Sequence, residues 1–271
     1  MIPTVTLTKV HRQAAKSGII SESLKIRQGT DLVSTKEAGV KVCGELQDLI
    51  LDTTTNQDEV FEKIIEHFKN EWSQLDDIMD ILIVLPMRER GRSSVYKINN
   101  AIQSYLYRGT FNRGYLVNEG KSSEFKIYPG DKVLCNKNDY EVLTPDGSET
   151  AIFNGNLGLV KWINHDLHQM LIDFEGIGEV LLERHQIETL SLGYAISIHK
   201  SQGIGVPVII TAFTMESWIL LSKQLVYTAM TRAKKKGIVV AEIKALKTAA
   251  RKNGVVDKQT FLEYLLTNTP L

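Results

Sequence analysis

The sequence predicts an α/β protein, with a parallel sheet flanked by helices and interrupted by a small antiparallel β-barrel. Strand-like and helix-like patterns alternate up to about residue 124 and again after residue 190, which is typical of parallel strands joined by helices. Between these parts, short alternating runs are separated by turn sequences such as Pro-Gly-Asp and Asn-Gly-Asn, which indicates antiparallel strands. We therefore expect an α/β segment at 1–124, an insert at 125–190 and a second α/β segment at 191–271.

Hydrophobic periodicity predicts the elements of the first segment. Val5–Thr8 and Val40–Cys43 are β-branched runs that favour strands, and Ser17–Arg27 has a helix-like pattern that stops at Gly29. Asp58–Trp72 is the clearest helix, because its apolar residues recur every three or four positions and acids occupy its first turn. Two further elements are a buried strand at Ile81–Pro86 and a helix at Val95–Leu106, with Ser94 as its N-cap.

The rest of the chain divides into alternating runs and longer apolar elements. Alternating apolar and polar residues predict strands within Phe125–Leu134, Ala151–Ile163, Gln169–Phe174 and Glu179–Thr189. The second α/β segment is predicted to contain buried strands at Val206–Phe213 and Gly237–Ile243, and helices at Leu221–Arg232 and Lys258–Leu266.

Composition excludes several classes of protein. Hydrophobic residues make up 43% and charged residues 24% of the chain, as in soluble globular proteins. The sequence shows neither a membrane-spanning apolar run nor a secretory signal, so we expect a cytoplasmic protein. Cys43 and Cys135 stand far apart, which favours free thiols over one disulfide, and no histidine or cysteine spacing fits a structural zinc site.

Charge is balanced overall, with 32 basic and 32 acidic residues, but it is segregated along the chain. Residues 45–80 carry a net charge of −9, residues 81–140 of +5, residues 141–190 of −7 and residues 191–252 of +8. Such segregation fits a protein that presents one basic face to a polyanion. Solvated helix faces of alternating sign explain it equally well.

One segment has a spacing close to that of a phosphate-binding loop. Gly114 and Gly120-Lys121-Ser122 are separated by five residues, where the Walker A loop has four, and no buried strand leads into the segment. Because that loop wraps phosphates at one fixed curvature, the extra residue argues against nucleotide binding here.

Three other stretches are more specific when they are taken together. They are Leu7-Thr-Lys-Val-His-Arg-Gln13, Leu192-Gly-Tyr-Ala-Ile-Ser-Ile-His-Lys-Ser-Gln-Gly203 and Val226-Tyr-Thr-Ala-Met-Thr-Arg-Ala-Lys-Lys235. This combination resembles the carboxy-terminal half of RecD-type superfamily-one DNA helicases, the family of the exonuclease V alpha subunit. Shorter stretches extend the resemblance over nearly the whole chain, namely Pro86–Arg88, Asn99, Gln103, Gly130–Val133, Asn136–Tyr140 and Phe153–Gly158.

The resemblance implies a RecA-like motor domain of the P-loop NTPase type, interrupted by a Src-homology-3-like insert. In such motors ATP lies between two RecA-like domains, and arginine suits the γ-phosphate because it stays protonated and offers a planar fork of donors. The implied catalytic arginines are Arg12 and Arg232. Implied ATP contacts are Gln13, Gln202, Gly203 and Thr231, and implied single-stranded DNA contacts are Asn99, Ser197, His199, Lys200, Ser201 and Thr228. No residue is assigned to a metal.

Two departures qualify the expected activity. Gly205 stands where the family usually has a glutamate that binds the ribose. The phosphate loop and the magnesium acids of the family would precede residue 1, so ATP and Mg²⁺ are expected to bind mainly to that other half, and this chain alone is predicted not to hydrolyse ATP.

The expected partners are single-stranded DNA, a first RecA-like domain and other exonuclease V subunits. A non-catalytic DNA-binding or adaptor module is the alternative function. Nuclease chemistry in this chain is disfavoured, because no clustered carboxylates typical of a metal-dependent nuclease are found.

Overall fold

The computed structural model describes residues 16–33, 38–107, 114–118 and 124–254. The predicted strand Val5–Thr8 and helix Lys258–Leu266 lie outside the described residues. The helices are α1 (Gly18–Arg27), α2 (Asp58–Trp72), α3 (Val95–Leu106), α4 (Arg184–Ile187), α5 (Lys223–Met230) and α6 (Ile243–Arg251). The strands are β1 (Gly39–Cys43), β2 (Leu49–Thr54), β3 (Ile81–Leu85), β4 (Tyr115–Asn118), β5 (Glu124–Ile127), β6 (Lys132–Cys135), β7 (Asp139–Leu143), β8 (Glu149–Ile152), β9 (Leu157–Asn164), β10 (Gln169–Phe174), β11 (Gly178–Glu183), β12 (Leu190–Leu192), β13 (Ala195–Ser197), β14 (Val206–Phe213) and β15 (Ala233–Glu242).

A six-stranded sheet forms the centre of the α/β part, in the order β1-β2-β15-β14-β3-β13. Only the edge pair β1–β2 is antiparallel, and the other pairs are parallel. Apolar residues of α2 and α3 pack on one face of the sheet, and those of α1, α5 and α6 pack on the other. The predicted α/β class with a parallel sheet is confirmed.

Three elements of this part, β2, β13 and α6, have no counterpart in the sequence prediction. Strand β2 ends in Asp52-Thr-Thr54, three polar residues that are nevertheless buried. The Asp52 carboxylate is satisfied by Lys63 Nζ at 2.7 Å and His67 Nε2 at 2.9 Å, both on α2. Helix α6 follows β15 without a loop, so the predicted last strand ends at Glu242 and Ile243 already begins the helix.

The second sheet is antiparallel and contains seven strands in the order β12-β6-β9-β10-β11-β7-β8, while β4 and β5 form a separate hairpin. The antiparallel character predicted for this region is confirmed. Its first strand β6 and its last strand β12 are direct neighbours, with Leu190 opposite Cys135. The chain therefore enters the antiparallel sheet at β6 and leaves it at β12, and these two strands lie side by side. Closure into a barrel and the segment boundaries at 124 and 190 stay predictions.

The place where the two sheets meet contains a buried lysine. Lys132 at the start of β6 is fully buried, and its ammonium donates to the carbonyls of Ile78 at 3.2 Å, Met79 at 3.4 Å and Ile81 at 2.9 Å. Burial lowers the pKa of Lys132 to about 8, since desolvation disfavours the charged form. Lys132 thus ties the antiparallel sheet to the segment that enters β3.

Candidate nucleic-acid and nucleotide site

The motif that follows β13 forms a compact turn at the carboxyl edge of the parallel sheet. Strand β13 pairs with β3, and the pairing continues as Ile198 N–H donates to Leu85 O at 3.0 Å. Ser201 N–H donates to Ser197 O at 3.1 Å, and Lys200 N–H donates to Ser197 Oγ at 3.4 Å. These bonds fix the backbone positions from which the side chains of Ser197 and Lys200 extend.

A cleft of about 230 Å³ opens beside this turn. It lies between the carboxyl end of β13, the first turns of α3 and the antiparallel sheet. Lys200 Nζ donates to Asn136 Oδ1 across it, so the turn and the antiparallel sheet are in direct contact. Residues that line the cleft include Arg88, Asn99, Asn100, Phe125, Leu134, Asn136, Ser191, Ser197 and Lys200.

The DNA contacts predicted from the motifs divide into three groups in the structure. Ser197 and Lys200 line the cleft with partly exposed side chains. His199 is exposed and Thr228 is half-buried, and neither is among the cleft-lining residues. Ser201 is fully buried, and its hydroxyl donates to Ile198 O at 2.7 Å, which holds the turn together.

Asn99 lies in the wall of the cleft, but its amide group is occupied by the protein backbone. Its Nδ2 donates to Leu192 O at 3.1 Å and to Ala195 O at 2.9 Å, and its Oδ1 accepts from Ala195 N–H at 2.7 Å. The residue is 5% exposed. The structure therefore gives Asn99 a role in holding β13, and the DNA contact expected from the sequence stays a prediction.

Residues 198–205 run from the edge of the parallel sheet formed by the carboxyl ends of its strands to the edge formed by their amino ends. Ser197 is level with Leu85 at the carboxyl end of β3, whereas Val208 is level with Ile81 at the amino end of that strand. Because β13 and β14 both run parallel to β3, the segment between them must return from the carboxyl edge to the amino edge. We call residues 198–205 the connecting loop.

Arg232 meets the far end of the connecting loop. Its Nε donates to Thr228 O at 3.2 Å, and its Nη1 lies 3.5 Å from Ile204 O. Thr231, the preceding residue, donates its hydroxyl to Tyr227 O at 2.9 Å, so it caps α5. The structure thus brings Arg232 beside the loop that carries Gln202 and Gly203. Arg12 and Gln13 lie outside the described residues.

Gly205, where the sequence resemblance predicts a glutamate, lies beside Arg232. A Cβ at Gly205 would lie 3.5 Å from Arg232 O and 3.2 Å from Lys234 Cε. Gln202 and Gly203 are exposed, and Gly203 has a positive φ of 89° that favours glycine. Position 205 and Arg232 therefore belong to the same surface at the amino edge of the sheet.

Two exposed aromatic residues of the antiparallel region were not predicted as site residues. Tyr140 is 66% and Phe153 is 45% exposed, and their rings meet edge to face with centroids 5.9 Å apart. Asn154 N–H donates to Asn138 Oδ1 at 2.8 Å, which joins the residue before β7 to the segment after β8. The sequence did contain a signal for these two residues, because each lies in a stretch that resembles the helicase family. The stretches are Asn136–Tyr140 and Phe153–Gly158.

The basic residues of segment 191–252 do not form one face. Lys200 lies at the cleft, Lys236 pairs with Glu71 of α2 at 2.6 Å, and Lys244 and Arg251 are exposed on α6. The charge segregation along the sequence therefore arises partly from solvated faces and ion pairs.

Other features expected from the sequence can also be located. Cys43 and Cys135 are buried free thiols. Within the described ranges there is no group of three or more histidine, cysteine or carboxylate side chains placed to hold a metal ion. None of the helices in those ranges is long and apolar enough to cross a membrane.

The fold is that of a RecA-like α/β unit with an antiparallel insert. Comparison with known proteins shows which proteins of this fold the chain is similar to. Residues 192–240 match the family described as the UvrD-like helicase C-terminal domain. These residues include the turn at Ser197, the connecting loop and Arg232. The RecD-type resemblance predicted from the motifs is confirmed, and the chain is similar to helicases of the RecD and Pif1 types.

Relatives of known name match over much of the chain. The ATP-dependent RecD2 DNA helicase of Deinococcus radiodurans is 28% identical over 96% of this chain and 32% of its own length. The RecBCD enzyme subunit RecD of Mycobacterium tuberculosis is 28% identical over 61% of this chain and 25% of its own. The chain therefore spans about a third of these curated relatives or less.

A solved structure supports the fold. Pif1 helicase from Bacteroides, in complex with ADP-AlF3 and single-stranded DNA, aligns with a TM-score of 0.54 and 16% identity over 97% of this chain and 56% of that one.

Proposed function

We propose that this chain is the second motor domain of an ATP-dependent DNA helicase, in which the cleft binds single-stranded DNA and Arg232 approaches the γ-phosphate of ATP. The observation that carries the proposal is the connecting loop. One end of this loop carries Lys200 at the cleft, and the other end accepts a contact from Arg232 through Ile204 O. A change at the nucleotide would thus reach the DNA contacts through the five residues from Ile204 back to Lys200.

The DNA contacts are made by groups that bind the phosphate backbone without reading the bases. Lys200 and Arg88 supply positive charge to the cleft, and Ser197 and Asn136 supply hydrogen-bonding groups. Such contacts suit a protein that moves along a strand of any sequence. Tyr140 and Phe153 add aromatic faces on which bases stack. His199 and Thr228 remain candidates for contacts outside the cleft.

The nucleotide contacts come from the amino edge of the sheet. Arg232 is placed to neutralise charge that develops on the γ-phosphate, an effect that arginines supply in phosphoryl transfer. Gln202, Gly203 and Thr231 lie on the same side, and Arg12 and Gln13 are proposed to join them. ATP with Mg²⁺ would supply the phosphoryl group and its counter-charge from a first RecA-like domain. We expect no hydrolysis by these 271 residues alone, and DNA-stimulated turnover by them would contradict this.

The alternative is a DNA-binding or adaptor module that no longer uses ATP. It is favoured by Gly205, which leaves the surface beside Arg232 without the carboxylate that the family uses for the ribose. Exonuclease V subunits are proposed partners in either case.

Salt-dependent binding of fluorescent oligothymidylate by the full chain tests the DNA part of the proposal. The logarithm of the binding constant should fall steeply with the logarithm of salt, since each phosphate contact releases counterions. Lys200→Ala should reduce that slope by about 1.

Lys161→Ala is the matched control, because Lys161 lies on β9, is partly exposed and pairs with Asp173 at 3.3 Å. This variant should keep the slope of the unchanged protein. A flat slope for the unchanged chain, or equal slopes for Lys200→Ala and the unchanged chain, would contradict DNA binding in the cleft.

A further inference from the structure

Helix α3 places two buried amide side chains one turn apart, and each holds one end of the antiparallel sheet. Asn99 binds both Leu192 O and Ala195, as described above, where the chain returns from β12 to β13. Gln103 Nε2 donates to Lys126 O at 2.8 Å and to Asp131 Oδ2 at 2.6 Å, where the chain enters β6. Because positions four apart lie on the same face of a helix, one helix surface reaches both crossings.

The two ends are also joined to each other. Tyr194, next to Ala195, donates its hydroxyl to Asp131 Oδ1 at 2.6 Å, while Asp131 Oδ2 accepts from Tyr128 N–H at 2.7 Å. Asn99, Tyr194, Asp131 and Gln103 thus form a closed ring of contacts through α3, and each is less than 10% exposed.

The backbone at the return crossing leaves no room for a side chain at Gly193. Gly193 N–H donates to Lys132 O at 2.7 Å, and a Cβ at Gly193 would lie 2.8 Å from the carbonyl carbon of Val133. The segment that leads into β13 is therefore fixed by side chains from α3 and by direct backbone contact with β6.

We propose that Asn99 and Gln103 are positioning residues that set the turn at Ser197–Lys200 in one register with the antiparallel sheet. This inference rests on the proposed function, because the register matters for binding only if the cleft binds DNA. Its physical basis is that Lys200 and Asn136, on the two walls of the cleft, follow strands of different sheets. The ring of contacts formed by Asn99, Tyr194, Asp131 and Gln103 ties both sheets to helix α3.

The chemistry requires an amide at position 99. Its side chain must donate to two carbonyls and accept from one N–H at the same time, which only asparagine does at this length. An aspartate would face Leu192 O and Ala195 O with acceptors alone, and a leucine would leave all three backbone groups without this partner.

Hydrogen exchange of the full chain, followed by mass spectrometry, separates positioning from general stability. Asn99→Leu should accelerate exchange in peptides that cover 195–201 by about tenfold, since a lost buried hydrogen bond favours local opening by that order. Ile102→Ala on the same helix is the control, because Ile102 is fully buried and apolar. That variant should lower the melting temperature without selectively accelerating exchange in 195–201.

Binding of oligothymidylate provides the second measurement. Asn99→Leu should weaken affinity by about tenfold more than Ile102→Ala at equal salt and should leave the salt slope unchanged, because no charge is removed. If Asn99→Leu does not fold, Asn99→Ser, which keeps one donor and acceptor, serves in both measurements with a smaller effect in the same direction.

The outcomes distinguish the two proposals. Selective exchange in 195–201 without any DNA binding by the unchanged chain would support the positioning role and reject the proposed function. DNA binding by the unchanged chain, with exchange and affinity of the Asn99 variants equal to those of Ile102→Ala, would overturn the positioning role and leave the proposed function standing.

Discussion

The two sheets of this protein use polar residues in opposite ways. In the parallel sheet, β3 is apolar throughout and β14 almost so, and most groups able to do chemistry follow strand ends, as Ser197 and Lys200 do. The antiparallel sheet exposes acidic residues such as Glu141 and large aromatic residues such as Tyr140. Neither sheet forms the cleft alone. The site therefore depends on the junction of the two sheets, where Asp131 and Lys132 are buried.

Removing the lysine of the junction is the strongest way to break this arrangement. Lys132→Ala would open a cavity and leave three carbonyls, two of them buried, without their donor, so we expect the free energy of unfolding to fall by about 4 kcal/mol. Urea denaturation measures this change. Lys161→Ala, at an exposed ion pair on β9, should change it by less than about 0.5 kcal/mol. Equal effects of the two substitutions would show that the junction does not fix the sheets.

Titration of Asp131 gives a second test of the junction between the two sheets, because burial raises the pKa of this carboxyl from 3.8 to about 6. The folded state then binds more protons than the unfolded state between about pH 4 and pH 6, so stability falls as pH rises through that window. Asp131→Asn does not titrate, and its amide can accept from Gln103 and Tyr128 and donate to Tyr194.

We expect the asparagine variant to gain up to about 3 kcal/mol relative to the unchanged protein between pH 4 and pH 7. Urea denaturation across this range measures the gain, and Asp173→Asn on the exposed side of β10 is the control. A constant difference between Asp131→Asn and the unchanged protein at every pH would reject this account of the junction.

The smallest effect tests the contribution of the antiparallel sheet to the cleft. Tyr140→Ala should weaken oligothymidylate binding by about 1 to 2 kcal/mol at every salt concentration, since base stacking involves no counterion release. Tyr140→Phe keeps the ring and should bind as the unchanged protein does. Weaker binding by both variants would mean that the hydroxyl, not the ring, makes the contact.

Much of the fold could be predicted from the sequence because the elements concerned have strong local signals. Helices Asp58–Trp72 and Val95–Leu106 and strand Val206–Phe213 have the predicted bounds, as expected where periodicity and buried apolar runs dominate. Strand β2 was missed because Asp52 is acceptable in a strand only with Lys63 and His67 beside it, and those partners come from a helix.

The candidate site shows the same division. The motif residues Ser197, Lys200 and Arg232 could be selected from the sequence, since the resemblance singles them out. The role of Asn99 could not, because its three backbone partners are 93 to 96 positions away.

Short-range patterns and residue types were enough to predict the class of fold, the two kinds of sheet and the motif residues. The folded structure was needed to show that the connecting loop joins the cleft to Arg232 and that Asn99 holds β13. It also decided that two adjacent ionisable residues, Asp131 and Lys132, are buried at the junction of the sheets. The physical reason is that burial and hydrogen bonding depend on partners brought together by folding, which spacing along the chain does not specify.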